Sequence, residues 1–180
     1  GQYSRNAARW VLTGQWYAPG DYNPAIIYPV ATALQMISFW LLGLSLASAR
    51  AVTVLSAWLT LYLTYRLCRF YTATLPALVA ALLLAASYRF FAYSRLALLD
   101  IPMIAFALLS LTLGVRGARQ GSWAGVALSA VGFVCCSLTK LGAYLLPVVL
   151  YAIFRECQQK RRAAGLIGVW IAACAVLFAA

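Results

Sequence analysis

The chain has 180 residues, of which 65% are hydrophobic and only 9% are charged, whereas an ordinary soluble domain has about 25% charged residues. Lys and Arg number 14 against three acidic residues, and the formal net charge is +11. Because the basic residues lie between apolar runs and form no stripe with interleaved aromatic residues, we interpret them as topology signals and expect no nucleic-acid partner. The composition excludes a soluble domain and predicts an all-α, polytopic membrane protein that binds lipids.

The apolar runs predict the transmembrane helices. A bilayer core of about 30 Å needs roughly 20 apolar residues in a helix. We predict spans over Ala49–Leu67, Leu75–Ala92, Ile101–Val115, Trp123–Thr139, Leu141–Phe154 and from Leu166 onward. No linker divides the chain, and its last run is still apolar where it ends. We therefore expect a single transmembrane-domain fragment over 1–180, with an outer loop and juxtamembrane helices at 1–47 and transmembrane helices at 48–180.

Three basic clusters predict the orientation of these spans. They are Arg66 with Arg69, Arg116 with Arg119, and Arg155 with Lys160, Arg161 and Arg162. The positive-inside rule places all three on the cytoplasmic face. Two apolar runs lie between consecutive clusters, so each pair of runs forms a hairpin whose tip reaches the outer face. Asp100 and Lys140 are at these two tips, and we expect them on the same outer side of the membrane.

The first segment allows two placements. Tyr28–Leu46 is apolar enough to cross the membrane, but it is interrupted by polar residues and glycine and could instead lie flat in the interface. A crossing helix would put Arg5 and Arg9 inside. The aromatic density of 1–28 is typical of an interfacial belt and favours the flat placement. We expect an outer loop at Gly1–Pro24, with a short helix around Tyr3–Leu12.

The two charged tips are candidate site residues, each with a simpler explanation. Asp100 stands immediately before a helix start and could serve only as an N-cap that accepts backbone N–H bonds. Lys140 could be an ordinary snorkelling anchor, or it could bind a phosphate. Two opposite charges on one outer face are typical of a site for an anionic, lipid-linked substrate. The five cysteines form no CxxC pattern and histidine is absent, so we predict no structural metal site.

The order of four local patterns resembles a known family. The patterns are YSRNAARWVLTGQWYAP, FWLLGLSLASAR, YSRLALLD and SLTKLGAYLLP. Together they are similar to the glycosyltransferase 39 and aminoarabinose-transferase group of the glycosyltransferase C superfamily, relatives of the dolichyl-phosphate-mannose protein mannosyltransferases. The resemblance implies a membrane enzyme that takes a sugar from a polyprenyl-phosphate donor at its luminal or periplasmic face.

The resemblance also implies roles for individual residues. The family's Asp-Glu pair, which supplies its expected catalytic carboxylate, precedes a tyrosine that corresponds to Tyr3, so the resemblance places this pair just upstream of Gly1 and outside this sequence. Asp100 matches the family's second outer-loop acid and is the catalytic candidate within the sequence, where it could orient a sugar, a base or a metal. Lys140 matches the lysine after the next hairpin. Arg95, Tyr3 and Asn23 are further substrate-binding candidates. Where aminoarabinose transferases carry Glu-Lys-Pro, this chain has Tyr-Asn-Pro at 22–24, which argues against an aminoarabinose substrate.

The function expected from this reading is glycosyl transfer to a lipid, glycan or protein acceptor. The resemblance favours the bacterial inner membrane with the active site facing the periplasm. Members of the superfamily differ in metal use, so a divalent metal stays open as a cofactor. The alternative class is a non-enzymatic transporter of lipid or oligosaccharide, or a scaffold subunit, with the same hydrophobicity. A transporter would be expected to show matching halves with broken helices, and we see none in this sequence.

Overall fold

The structure, a computed structural model, describes residues 4–15, 20, 24–140, 146–157 and 160–179, and this part of the chain contains ten helices and no strand. In chain order they are α1 (Arg5–Thr13), α2 (Pro24–Ile27), α3 (Pro29–Leu42), α4 (Leu46–Arg69), α5 (Thr74–Ala86), α6 (Tyr88–Ser94), α7 (Asp100–Gln120), α8 (Trp123–Thr139), α9 (Leu146–Glu156) and α10 (Lys160–Ala179). The predicted all-α class is confirmed.

Three helices are long and apolar enough to cross a membrane, namely α4, α7 and the Arg162–Ala179 part of α10. The bent pair α5–α6 is a fourth candidate span. The apolar helices α3 and α8 are shorter, at 14 and 17 residues. Up to four candidate spans in the described residues agree with a multi-pass membrane protein.

The predicted continuous run over Leu75–Ala92 was wrong in one respect, because the helix breaks at Ser87. α5 and α6 meet there at an angle of 66°. Ser87 has extended backbone angles (φ −67°, ψ 129°), and its Oγ accepts a hydrogen bond from the Phe90 N–H at 3.3 Å. A serine side chain that caps a new helix competes with continuation of the old one. Hydrophobicity alone does not reveal this break.

α7 is the central helix and packs against α4, α8 and α9. Its contact with α8 is close because glycines face each other. A Cβ atom on Gly117 would lie 2.8 Å from the backbone N of Val126, and one on Gly125 would lie 2.9 Å from the Cα of Gly117. Small residues at such a contact let two membrane helices approach closely. The two helices are joined by the short turn at Gly121 and Ser122 and run antiparallel.

A buried polar network connects α7, α8 and α10. The Ser110 hydroxyl donates to the Ser129 carbonyl at 2.8 Å, and the Ser129 hydroxyl donates to the Ser110 carbonyl at 2.7 Å. The indole N–H of Trp170 donates to Ser129 Oγ at 3.3 Å, and its ring packs 5.0 Å from that of Phe133. Ser110, Ser129 and Trp170 are each 0% exposed. The network joins the middle parts of α7, α8 and α10.

The first segment forms the expected short helix, observed as α1. α1 packs on α3, which in turn contacts α4 and α8. The Ser38 hydroxyl donates to the Ser48 carbonyl at 2.7 Å and ties α3 to the start of α4. At about 1.5 Å per residue, the 14 residues of α3 span about 21 Å, which is less than the bilayer core. The placement of Tyr28–Leu46 along the interface stays a prediction.

Candidate active site

Asp100 is the first residue of α7. The N-cap position belongs to Leu99, whose carbonyl accepts from the Met103 N–H at 3.0 Å. Asp100 therefore lies one residue after the N-cap, and its catalytic role stays a prediction. The carboxylate still lies in the first turn, where the helix dipole favours a negative charge.

Lys140 lies at the end of α8, beside the start of α7. Its N–H makes the last helical hydrogen bond, to the Cys136 carbonyl at 3.2 Å, and its extended backbone angles (φ −162°, ψ 151°) end the helix. The ammonium Nζ donates to Asp100 Oδ1 at 2.5 Å. The side chains of Lys140 and Asp100 are 43% and 32% exposed, so the ion pair is accessible from outside the helix bundle. The structure thus brings together the two charges that the sequence predicted on one side.

The segment before Asp100 is held by α4. The Leu98 carbonyl accepts a hydrogen bond from Thr53 Oγ1 at 3.5 Å. Ile101, only 2% exposed, packs with Ala57 of α4 and Phe90 of α6 in a small apolar cluster. These contacts fix the position of the carboxylate relative to three helices.

Arg95, at the end of α6, does not join this ion pair. Its guanidinium carbon lies 5.0 Å from the ring centroid of Phe91, and the structure gives it no hydrogen bond to Asp100 or Lys140. The other two substrate-binding candidates, Tyr3 and Asn23, lie outside the described residues.

A cavity beside α1 was not predicted from the sequence. It lies between α1, α3 and the start of α4, has a volume of about 440 Å³, and is lined by Ser4, Arg5, Phe39 and Ser45 among others. Ser4 is 7% exposed, and its hydroxyl has no hydrogen-bond partner within the described part of the chain. In the sequence, the one feature that pointed to Ser4 as a site residue was its position directly after Tyr3 in the first motif.

The basic clusters meet at the opposite end of the bundle. Arg119 Nε contacts Glu156 Oε2 at 2.7 Å, and Arg119 Nη1 donates to the Phe70 carbonyl at 2.9 Å. The Tyr71 hydroxyl donates to Glu156 Oε1 at 3.0 Å. Arg162 approaches the Gly121 turn, because a Cβ on that glycine would lie 3.6 Å from its Nη1. The ends of α4, α7 and α9 are therefore joined here, far along the helices from Asp100.

Ionisation at this end is coupled to its contacts. Burial alone would raise the pKa of Glu156, but hydrogen bonds from Arg119 and Tyr71 hold the pKa of its carboxyl below the usual value. Burial and then the neighbouring Glu156 carboxylate raise the pKa of Tyr71. The ion pair between Glu156 and Arg119 therefore persists throughout the neutral pH range.

No metal centre is recognisable within the described ranges. They contain no group of three or more His, Cys, Asp or Glu side chains close enough to hold an ion. Among the described residues, the candidate site contains one acid, Asp100, and its carboxylate accepts a hydrogen bond from the Lys140 ammonium group.

A family comparison bears on the two classes of function that the sequence left open. The sequence pattern described as dolichyl-phosphate-mannose-protein mannosyltransferase matches residues 23–180. The chain belongs to this mannosyltransferase family. Both charged tips and all the helices from α2 to α10 fall inside the matched range. No match was found among curated proteins or among solved structures.

Membership in the mannosyltransferase family makes the chain an integral membrane protein and, in the broad sense, a membrane glycosyltransferase. It confirms the predicted resemblance and agrees with the apolar helices of the fold. The match favours the enzyme over the transporter or scaffold alternative.

Proposed function

We propose that this protein transfers a sugar from a polyprenyl-phosphate donor to a lipid, glycan or protein acceptor on the outer face of the membrane. The observation that carries the proposal is the contact between Lys140 Nζ and Asp100 Oδ1. It joins one acid and one cation at the end of the bundle opposite to the basic clusters. Ionisable groups near predicted membrane spans are costly to keep without a function.

The reaction requires both kinds of charge. An acceptor oxygen attacks the anomeric carbon of the sugar, the bond from that carbon to the donor phosphate oxygen breaks, and the acceptor loses a proton to a base. Negative charge develops on the departing polyprenyl phosphate, which a nearby cation stabilises. A carboxylate can accept the hydrogen bond or the proton of the acceptor hydroxyl.

We assign these roles to the two tips. Lys140 pairs with the donor phosphate, and Asp100 orients or deprotonates the acceptor. Each neutralises the other before substrate binds. When the donor phosphate binds the Lys140 ammonium group, the Asp100 carboxylate is released from the ion pair. The carboxylate can then accept a hydrogen bond or a proton from the acceptor. Lys140 is preferred to Arg95 for the leaving phosphate because Lys140 is the cation in contact with the acid.

Tyr3 and Asn23 stay proposed substrate contacts of the first outer loop, on the basis of the family resemblance. We also propose the bacterial inner membrane as the location, with Asp100 and Lys140 facing the periplasm. The bacterial membrane is proposed from the family resemblance. The orientation is supported by the basic residues in the last turns of α4, α7 and α9, at the opposite end of the bundle, since basic loops are retained in the cytoplasm.

The test is sugar transfer by the full-length protein from a labelled polyprenyl-phosphate sugar, comparing the wild type with Asp100→Asn. The amide keeps an oxygen for Lys140, and a partly exposed ion pair contributes only about 0–1 kcal/mol, so the variant should fold. Loss of the carboxylate should reduce turnover by a factor of about 10² or more. Folded yield in detergent and thermal unfolding serve as controls. Near-normal turnover by Asp100→Asn would show that the Asp100 carboxylate is not required for the reaction.

A further inference from the structure

A groove between α4 and the bent pair α5–α6 lies outside the proposed reaction site. It has a volume of about 300 Å³, and its walls include Val54, Trp58 and Leu61 of α4, Ala85 of α5, and Phe91 and Arg95. Val54 and Leu61 are about 10 Å apart along α4. The groove is therefore long enough to follow a hydrocarbon chain for part of its length.

The bend at Ser87 accounts for the groove. Because α6 turns 66° away from α5, the two helices cannot both lie along α4, and a wedge remains between them. Trp58 and Phe91, on its walls, are 71% and 53% exposed, so the wedge opens to the outside of the bundle. An apolar wedge that stays empty loses dispersion contacts along all its walls. In a bilayer, the material available to fill it is hydrocarbon.

The groove has one charged residue among those that line it. This residue is Arg95, whose guanidinium lies over the ring of Phe91. The two acidic residues in the described part of the chain bond to other cations, Asp100 to Lys140 and Glu156 to Arg119. No acidic side chain in that part complements Arg95. The groove thus combines apolar walls with one cation, which suits an anionic headgroup attached to a hydrocarbon chain.

We propose that the groove binds an acyl chain of an anionic phospholipid, with the lipid phosphate paired to Arg95. The lining of the groove does not include Lys140, to which we assign the donor phosphate, so the two anion sites are separate. Ala57 and Phe90, which line the groove, also pack on Ile101, the residue after Asp100. A bound lipid therefore supports the first turn of α7 and with it the position of the carboxylate.

The experiment is native mass spectrometry of the purified full-length protein, titrated with phosphatidylglycerol or with phosphatidylcholine of the same acyl chains. We expect the wild type to retain phosphatidylglycerol about fivefold better, since one basic side chain near a membrane surface contributes about 1 kcal/mol toward an anionic lipid. Arg95→Gln should lower phosphatidylglycerol binding to the phosphatidylcholine level. Ala85→Phe, which fills the groove, should reduce binding of both lipids.

Arg89→Gln is the matched control, because Arg89 is an exposed arginine of the same helix α6 that does not line the groove. It should leave the lipid preference unchanged. An unchanged preference in Arg95→Gln, or an equal loss in Arg89→Gln, would overturn the proposal. Displacement of phosphatidylglycerol by inorganic phosphate would show that Arg95 binds anions without a contribution from the acyl chain, which would also overturn the proposal. Displacement by polyprenyl phosphate would assign the groove to the sugar donor instead.

Discussion

Lys140 and Asp100 are 40 residues apart in the sequence, yet the ammonium Nζ lies 2.5 Å from the carboxylate Oδ1. The contact is possible because α7 and α8 are antiparallel and one begins where the other ends. Both side chains keep a substantial exposed surface. A substrate phosphate can therefore reach the lysine and compete with the carboxylate for it.

Replacement of Lys140 tests that competition. We expect Lys140→Gln to lower kcat/KM for the polyprenyl-phosphate donor by a factor of about 10² or more, because one charge that stabilises the leaving phosphate is removed. Lys140→Arg keeps the charge and should restore part of the activity. The free energy of unfolding of both variants should differ from that of the wild type by no more than about 1 kcal/mol. Steady-state kinetics at varied donor concentration and thermal unfolding measure the two effects. Full activity in Lys140→Gln would leave the lysine as a membrane anchor.

The orientation of the bundle can be tested by labelling of single cysteines. In a background without the five native cysteines, Leu96→Cys should react with an impermeant maleimide added to intact cells. Gln120→Cys should react only after the membrane is permeabilised, because the basic end of the bundle is expected to be cytoplasmic. Both positions are exposed, so access within the protein is matched. Labelling of Gln120→Cys from outside would reverse the proposed orientation.

The ion pair at the basic end predicts a pH-dependent contribution to stability. The pKa of Glu156 is lowered in the folded protein. Its stabilising effect is therefore complete above the pKa of the unfolded state and is lost as the pH falls through the folded pKa. Glu156→Gln should cost about 1–2 kcal/mol at neutral pH and weaken this acid dependence.

The control for that experiment is Tyr71→Phe, which removes the hydroxyl bond to Glu156 but keeps the ion pair with Arg119. It should cost less than Glu156→Gln and retain most of the acid dependence. Unfolding temperatures of the three proteins between neutral and acidic pH provide the comparison. If the unfolding temperatures of the wild type and Glu156→Gln depended on pH in the same way, the ion pair of Glu156 would not be the source of the acid dependence.

The close packing of α7 on α8 gives a prediction on stability. Gly117→Ala would place a methyl group 2.8 Å from the backbone N of Val126, and this backbone cannot yield as a flexible side chain would. We expect a loss of about 1–3 kcal/mol, as for other overpacked contacts. Gly168→Ala in α10 is the control, since no atom lies within 4 Å of its added methyl group. Chemical unfolding in detergent should separate the two. Equal stability of both variants would refute the close contact.

Much of the architecture could be read from composition and charge spacing. The apolar runs at Trp123–Thr139 and around Ile101–Val115 correspond to α8 and to the interior of α7. This agreement arises because a bilayer penalises unpaired backbone groups, so a long apolar run has few alternatives to a helix. The break at Ser87 was not predicted, because a single capping bond decides it and hydrophobicity does not report on such bonds.

The sequence by itself determined that the chain is a helical membrane protein, and its motifs indicated the mannosyltransferase family. It also placed Asp100 and Lys140 on one side of the membrane. Two apolar runs lie between consecutive basic clusters, so each pair of runs forms a hairpin whose tip is on the side opposite to the clusters. Only the tertiary structure decided that these two residues touch and that Arg95 stands apart beside a groove. Such contacts depend on how closely α7 and α8 approach and on the angle between α5 and α6. The missing side chain at Gly117 permits the close approach, and the cap at Ser87 accompanies the bend.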